Sequence, residues 1–245
     1  MPDGKAYADA RSATPDVAER SLLSGIHLFD GLSAEELNRL ELVCRYRRFG
    51  AYETILDRES LSSDICFIVR GHVRIVNYSL GGREIVFDDL HQGEYFGELS
   101  AIDGEPRSAN AVAMTDSLIV ALPRRVFLNL LVEKPAIATR MFLRLAAAIR
   151  AADTRIMDLS TLAAINRVQT ELLRHARTTA VDANKAVVEP IPIHSDIAGR
   201  ASTTRETVAR VLNDLARKGI LERTRTQLII HDLGRLRGMV EDVRG

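Results

Sequence analysis

The chain has 245 residues, 46% of them hydrophobic and 27% charged, and a formal net charge of zero. Such a chain is too apolar for a disordered polymer and long enough for one large domain or two modest ones with real cores. No apolar run approaches the length of a transmembrane helix. Cys44 and Cys66 are the only cysteines, with no CxxC spacing, so no disulfide framework is expected and a reducing cytoplasm is. Charge is uneven: from Asn166 to Gly245, 14 Lys and Arg stand against 10 Asp and Glu, leaving +4 there and −4 in the remainder. That asymmetry is a weak pointer to an anionic partner at the C-terminal end.

In chain order, residues 1–20 are polar and alanine-rich, carry acids and lack an apolar h-region. They read as a flexible tail rather than a signal peptide. Ser33 and Glu36 form a capping-box pattern ahead of a helix with Leu37 and Leu40 on its apolar face. From about Arg45 to Leu122 the period changes to two. Ile65, Phe67 and Val69 alternate, Gly71 precedes Val73 and Ile75, and Gly81-Gly82 marks a hairpin turn before Ile85-Val86-Phe87. Short strands with glycine turns predict a β-barrel or jelly roll. A short helix at about Leu99 to Ile102 interrupts it.

Pro123 ends the strands, Arg124 to Val132 is a short helix, and a long helix follows Pro135 to about Leu162. Phe142, Leu145, Ile149, Ala152, Ile156, Leu159 and Ala163 step by alternate threes and fours, a heptad seam. The seam fits a partner helix, and it also fits packing on the chain's own barrel. A helix from Asn166 carries Val168, Leu172, Leu173 and Ala176 inward, and a turn is expected at Asp182-Ala183-Asn184. Pro190 and Pro192 enforce an extended stretch. Ser195 to Ala198 starts a short helix. A longer one, capped by Thr203 or Thr204, ends at Gly219, and Leu221–Arg223 with Gln227–His231 forms a two-stranded hairpin. Helix, turn, helix and hairpin make a winged helix-turn-helix.

Two stretches carry chemistry. In Phe96-Gly97-Glu98-Leu99-Ser100 and Pro106-Arg107-Ser108-Ala109, a glycine permits close backbone approach, a carboxylate can accept from a sugar hydroxyl, and a guanidinium suits phosphate oxygens. By spacing alone the pattern fits a nucleotide monophosphate or a loop with a surface Glu98–Arg107 salt bridge. In the second stretch, at 100° per residue, Arg205, Glu206 and Arg210 share the face opposite Val208, Val211, Leu212 and Leu215. Arginine can pair with guanine and glutamate with cytosine, while Ser202, Thr203 or Thr204 could hold backbone phosphate. Helix geometry alone fits equally a solvated face with a Glu206–Arg210 pair.

The first stretch resembles the phosphate-binding cassette of cyclic-nucleotide-binding domains. The sequence T-R-E-T-V-A-R-V-L followed by L-x-x-K-G-I-L resembles the recognition helix of the Crp/Fnr superfamily, in its cyclic AMP receptor branch. The resemblance covers about Leu28 to His231. It implies an α+β chain: flexible tail 1–20, a cyclic-nucleotide-binding β-barrel (jelly roll) sensor 21–133, a dimerisation helix 134–164 and a winged helix-turn-helix 165–245. It further implies a cytoplasmic, allosteric homodimer that regulates transcription, binding cyclic AMP or cyclic GMP, palindromic TGTGA-like double-stranded DNA and RNA polymerase. The ligand would be held by Gly97, Glu98, Leu99, Ser100, Arg107, Ser108 and Ala109, and the DNA by Ser202, Thr203, Thr204, Arg205, Glu206 and Arg210.

One part of the family pattern is missing. Where the bacterial cyclic AMP receptor carries a Thr-Ser pair that contacts the base, this chain has Ala152 and Asp153. Asp153 could accept from guanine, and a constitutive regulator or one that answers cyclic di-GMP is the alternative. Two cysteines exclude a four-cysteine iron–sulfur cluster. His27, His72 and His91 read as ordinary surface or core residues, so neither metal nor haem is expected. The chain shows no kinase glycine loop, G-x-S-x-G or H-E-x-x-H, so no enzyme is expected.

Overall fold

The computed structural model describes residues 21–178 and 183–244; the expected tail 1–20 and residue 182 of the expected turn lie outside them. Two 3-10 turns, Leu22–Gly25 and His27–Phe29, lead into helix α1, Ala34–Glu41. The capping box forms as the sequence predicts: Glu36 N–H donates to Ser33 Oγ at 3.2 Å, and Ser33 N–H to Glu36 Oε2 at 2.8 Å. This satisfies two N–H groups that helix geometry leaves without partners.

Next come β1 (Arg45–Phe49), β2 (Thr54–Leu56), β3 (Ile65–Arg70), β4 (His72–Tyr78), β5 (Glu84–His91) and β6 (Tyr95–Phe96), then the helix α2 (Glu98–Asp103), then β7 (Asn110–Ala113) and β8 (Ser117–Leu122). They form two antiparallel four-stranded sheets, ordered β1-β8-β3-β6 and β2-β7-β4-β5. Cys66, Ile68 and Ile119 from one sheet meet Val73, Ala111 and Ala113 from the other in a shared core. Ile65, Phe67 and Leu122 are also fully buried, Phe67 against Phe29 with ring centroids 4.7 Å apart. Both faces of β3 are therefore covered, which explains its near-continuous apolar run Ile65–Val69.

Helix α3 (Arg124–Glu133) precedes the 27-residue α4 (Pro135–Thr161). The expected seam is exposed along α4, with Phe142, Ile149 and Ile156 each 60% or more accessible.

The chain divides into two compact units: residues up to Asn77 with Phe87–Arg144, and Tyr78–Val86 with Leu145 onward. The second holds α5 (Ala164–His175), β9 (Arg177–Thr178), β10 (Ala186–Val188), α6 (His194–Arg200), α7 (Arg205–Arg217), β11 (Leu221–Arg223), β12 (Leu228–Ile230) and α8 (Leu233–Arg244). Val168, Leu172, Ile197, Val208, Val211 and Leu215 are buried in one cluster.

The predicted two-stranded hairpin is a four-stranded sheet, β11-β12-β10-β9. Strand β10 has three residues, too few to show a period, and becomes a strand only by pairing Ala186 with Ile230 and Val188 with Leu228. Helix α8 is a further element that the sequence pattern does not predict. Gly234 and Gly238 weaken its helical signal, yet Leu233, Leu236 and Val240 are buried and the Asn166 side chain donates to Met239 O at 3.0 Å. Among the described residues, no helix is long and apolar enough to cross a membrane.

Candidate functional site

Gly97 turns the chain from β6 into α2. It sits at φ +78° as the N-cap of α2, a conformation that glycine adopts at no steric cost. A Cβ there would also overlap Arg107 Nη1. Helix α2 runs Glu98–Asp103, one residue longer at each end than the sequence suggested.

Arg107 is buried, at 3% exposure, and its guanidinium is held on three sides. Nε donates to Ser62 Oγ at 3.1 Å, Nη1 to Gly97 O at 2.8 Å and Nη2 to Asp64 O at 2.6 Å. Its backbone is tied to the loop after β2: Glu59 N–H donates to Arg107 O at 2.9 Å and Arg107 N–H to Ser60 O at 3.2 Å. A guanidinium has five N–H groups, so two remain for an anion. The loop thus fixes the plane of the fork before any ligand arrives.

Glu98 is half-buried, and its carboxylate makes no hydrogen bond or ion pair with another side chain among the described residues. Arg107 points to the backbone rather than to Glu98, so the surface salt bridge that spacing allowed is not formed. Burial raises the Glu98 pKa; the chain's own N–H, then Arg144 and Arg107, oppose that rise. Arg144, from α4, stacks over Tyr95 at 4.3 Å and donates to Tyr95 O at 3.1 Å. The site thus presents one open carboxylate acceptor and one clamped cation, the pair needed for a sugar hydroxyl and a phosphate.

The remaining cassette residues divide by exposure. Ser100 is buried, Ala109 half-buried, and Leu99 and Ser108 are exposed. Ser108 O accepts from Asn77 Nδ2 at 3.1 Å, which fixes the turn. Asp153 is exposed on α4, in the part that belongs to the second unit. Sequence reasoning missed Ser62, Asp64, Asn77 and Arg144. Arg144 alone had a readable signal, a cation interrupting the apolar start of the long helix. Asp64 and Gly97 act through carbonyls, which every residue carries.

In the second unit, Thr204 rather than Thr203 caps α7, its Oγ1 accepting from Thr207 N–H at 3.3 Å. Thr203 is 6% exposed, which withdraws its hydroxyl from the expected phosphate contact. Ser202 is half-buried at φ +49°, and Arg167 grips the turn through Ala201 O at 2.9 Å and Ser202 O at 3.3 Å. Arg205, Glu206 and Arg210 are all exposed, opposite buried Val208, Val211 and Leu215. Arg210 donates to Thr207 Oγ1 at 3.2 Å rather than to Glu206, so the i, i+4 pair is absent. A hydrogen bond from Thr204, then its own N–H, keep the Glu206 carboxyl below its usual range and therefore ionised as an acceptor.

Cys66 is buried and Cys44 half-buried, and burial pushes both thiols up to about 12, as for small packed side chains.

Comparison with known proteins follows the same division. Residues 46–134 match the model of the cyclic nucleotide-binding domain and residues 166–239 that of the Crp-like helix-turn-helix domain. The chain is 34% identical over 200 residues to the cyclic AMP receptor protein of Thermus thermophilus, covering 81% of this chain and 89% of the relative. A mutant of CooA from Carboxydothermus hydrogenoformans shares the fold with TM-score 0.71 at 24% identity, over 83% of this chain and 90% of the other. The cyclic di-GMP responsive regulator CLP of Xanthomonas campestris shares it with TM-score 0.68 at 16% identity, over 81% and 99%.

Proposed function

The chain belongs to the Crp/Fnr superfamily of DNA-binding transcription regulators and carries that family's cyclic-nucleotide-binding domain; from this premise we propose that it is a homodimer switched by cyclic AMP. Glu98 accepts from the ribose 2′-hydroxyl. Arg107 and Ser108 hold the cyclic phosphate, and Gly97 lets the backbone close on it. The observation that carries this reading is the pairing of an open Glu98 carboxylate with an Arg107 fork whose plane Ser62, Gly97 and Asp64 already fix. Preorganisation of this kind lowers the cost of binding.

The exposed apolar seam of α4 supports the dimer, since Phe142, Ile149, Ile156 and Leu159 recur at heptad spacing and are open to a partner. In the dimer two copies of α7 enter successive major grooves about 34 Å apart, with Arg205, Glu206 and Arg210 reading a TGTGA-like half-site. The nucleotide acts by binding the DNA-competent state more tightly than the other; equal affinity for both would shift nothing. RNA polymerase is the further partner and the cytoplasm the location.

A second reading concerns the ligand alone. Ala152 and Asp153 occupy the positions of the family's base-contacting pair, and Asp153 is exposed. That opens the base end of the pocket to cyclic GMP, with a constitutive regulator or one that answers cyclic di-GMP as the alternative to cyclic AMP. Calorimetric titration with cyclic AMP and cyclic GMP, on wild type and Glu98→Gln, tests both. Saturable cyclic AMP binding that weakens tenfold or more in the variant, about 1.4 kcal/mol, is the expected result. Binding indifferent to Glu98, or confined to cyclic GMP, would overturn the first reading.

A further inference from the structure

Between the two sheets of the first unit lies a cavity of about 230 Å³ that has no wall from Glu98 or Ser108. It originates in the register. Arg45 of β1 pairs with Ala121 of β8, and Ala121 with Cys66 of β3. In the next row on that face Arg47 pairs with Ile119, and Ile119 with Ile68. Two small side chains, Ala121 and Cys66, sit side by side in a layer that large residues would fill, and close packing is interrupted there.

Phe49, Ile55, Leu56 and Ile119 complete an apolar floor, whereas the rim is ionic. Arg45 and Arg47 stand there with Asp57 and Asp64, and buried Arg107, the cassette's cation, forms part of the wall. Asp64 is engaged by Arg45 at 3.6 Å. Arg47 lies over the Phe49 ring at 4.6 Å and forms no ion pair among the described residues. A guanidinium without a carboxylate is thereby held at the mouth of an aliphatic hollow.

We propose that this cavity is a second ligand site, for a small aliphatic monocarboxylate. The alkyl chain lies on Ile55, Ile119 and Ala121, and the carboxylate meets Arg47. The hollow is smaller than the usual ligand pocket of about 300–1,000 Å³, so it takes a short molecule. Arg45 is engaged by Asp64 and Arg107 by the cassette, so Arg47 is the guanidinium left for an anion, and one cation suits a monoanion. The fork of Arg47 matches a carboxylate bidentately.

The probe is hexanoate, titrated calorimetrically into the full chain without nucleotide, with hexanamide as its neutral isostere. One hexanoate binds per chain, about tenfold or more tighter than hexanamide, because a charge-assisted bidentate pair is lost in the amide. Ala121→Leu fills the floor and removes binding, Arg47→Gln weakens it about tenfold, and Glu98→Gln leaves it unchanged. Thermal melts establish that each variant folds, and exposed Arg47 carries the test should Ala121→Leu fail to fold. Equal affinity for hexanoate and hexanamide, no saturable binding, or indifference to Arg47→Gln overturns the proposal. Loss of binding in Glu98→Gln also overturns it, since the probe would then occupy the nucleotide cassette.

Discussion

At Arg107 the guanidinium is buried and held by Ser62, Gly97 and Asp64; at Arg205 and Arg210 it is exposed, and among the described residues only Arg210 of these two makes a side-chain hydrogen bond, to the hydroxyl of Thr207. The cassette is therefore built as part of the core, with its donors aimed by backbone carbonyls. The face of α7 that carries Arg205, Glu206 and Arg210 is built as an exposed surface. In the first region, the candidate ligand group and the core share the same bonds. In the second they are separable, because Val208, Val211 and Leu215 hold the helix from its opposite face. A small anion needs a fork fixed in advance, whereas long DNA can pay the entropy of ordering several exposed side chains through many contacts.

The sharpest break in this comparison is Arg107→Ala. It removes three charge-assisted hydrogen bonds and leaves the part-buried carbonyls of Gly97 and Asp64 without these donors, so it lowers stability by about 3 kcal/mol and abolishes nucleotide binding. Denaturant unfolding and calorimetry report the two losses together. A variant that unfolds like wild type would show that Arg107 is held for the ligand alone.

Arg205→Ala is the counterpart. Its effect falls on DNA, about 1–3 kcal/mol and at one base position, with an unchanged melting temperature. A binding assay over half-site variants checks it; uniform weakening across all sequences would instead mark Arg205 as a phosphate contact.

Gly97→Ala tests how tightly the cassette is drawn. Positive φ and the overlap with Arg107 Nη1 together cost about 1–2 kcal/mol, and nucleotide affinity falls with the displaced fork. Unfolding and nucleotide titration measured on the same preparation would show whether both move.

The smallest effect is a pH dependence at Glu98. Burial raises its pKa, so the folded chain keeps the proton to higher pH than the unfolded chain. Stability is then lost as pH rises from the unfolded carboxylate range through the raised folded value. Glu98→Gln should consequently melt above wild type at pH 7, with the gap closing in acid where both carboxyls are neutral. A gap that grows in acid would mean that the carboxylate is stabilising, contrary to its open position.

Much of this architecture was legible locally. Ser33 with Glu36 marked the start of α1, the Gly97–Ser108 spacing marked the cassette, and the period of Val208, Val211 and Leu215 marked the buried side of α7. Heptad spacing on α4 marked a seam that the structure leaves exposed. Each of these is written in side-chain identity over a dozen residues or fewer, or repeats often enough to be counted.

What only the tertiary structure decided depends on residues distant in the chain. Strand β10 exists because β12 lies beside it, and α8 because its apolar side meets the core of the second unit despite two glycines. The choice between a surface salt bridge and a clamped fork at Arg107 was settled by two carbonyls and a hydroxyl, and no spacing rule locates a carbonyl. Thr203 and Thr204 are identical in sequence terms, yet one is buried and the other caps the helix. The sequence determined which chemical groups the two candidate stretches carry. Burial and backbone geometry, which arise only when remote segments meet, decided which of those groups are fixed and which are left open.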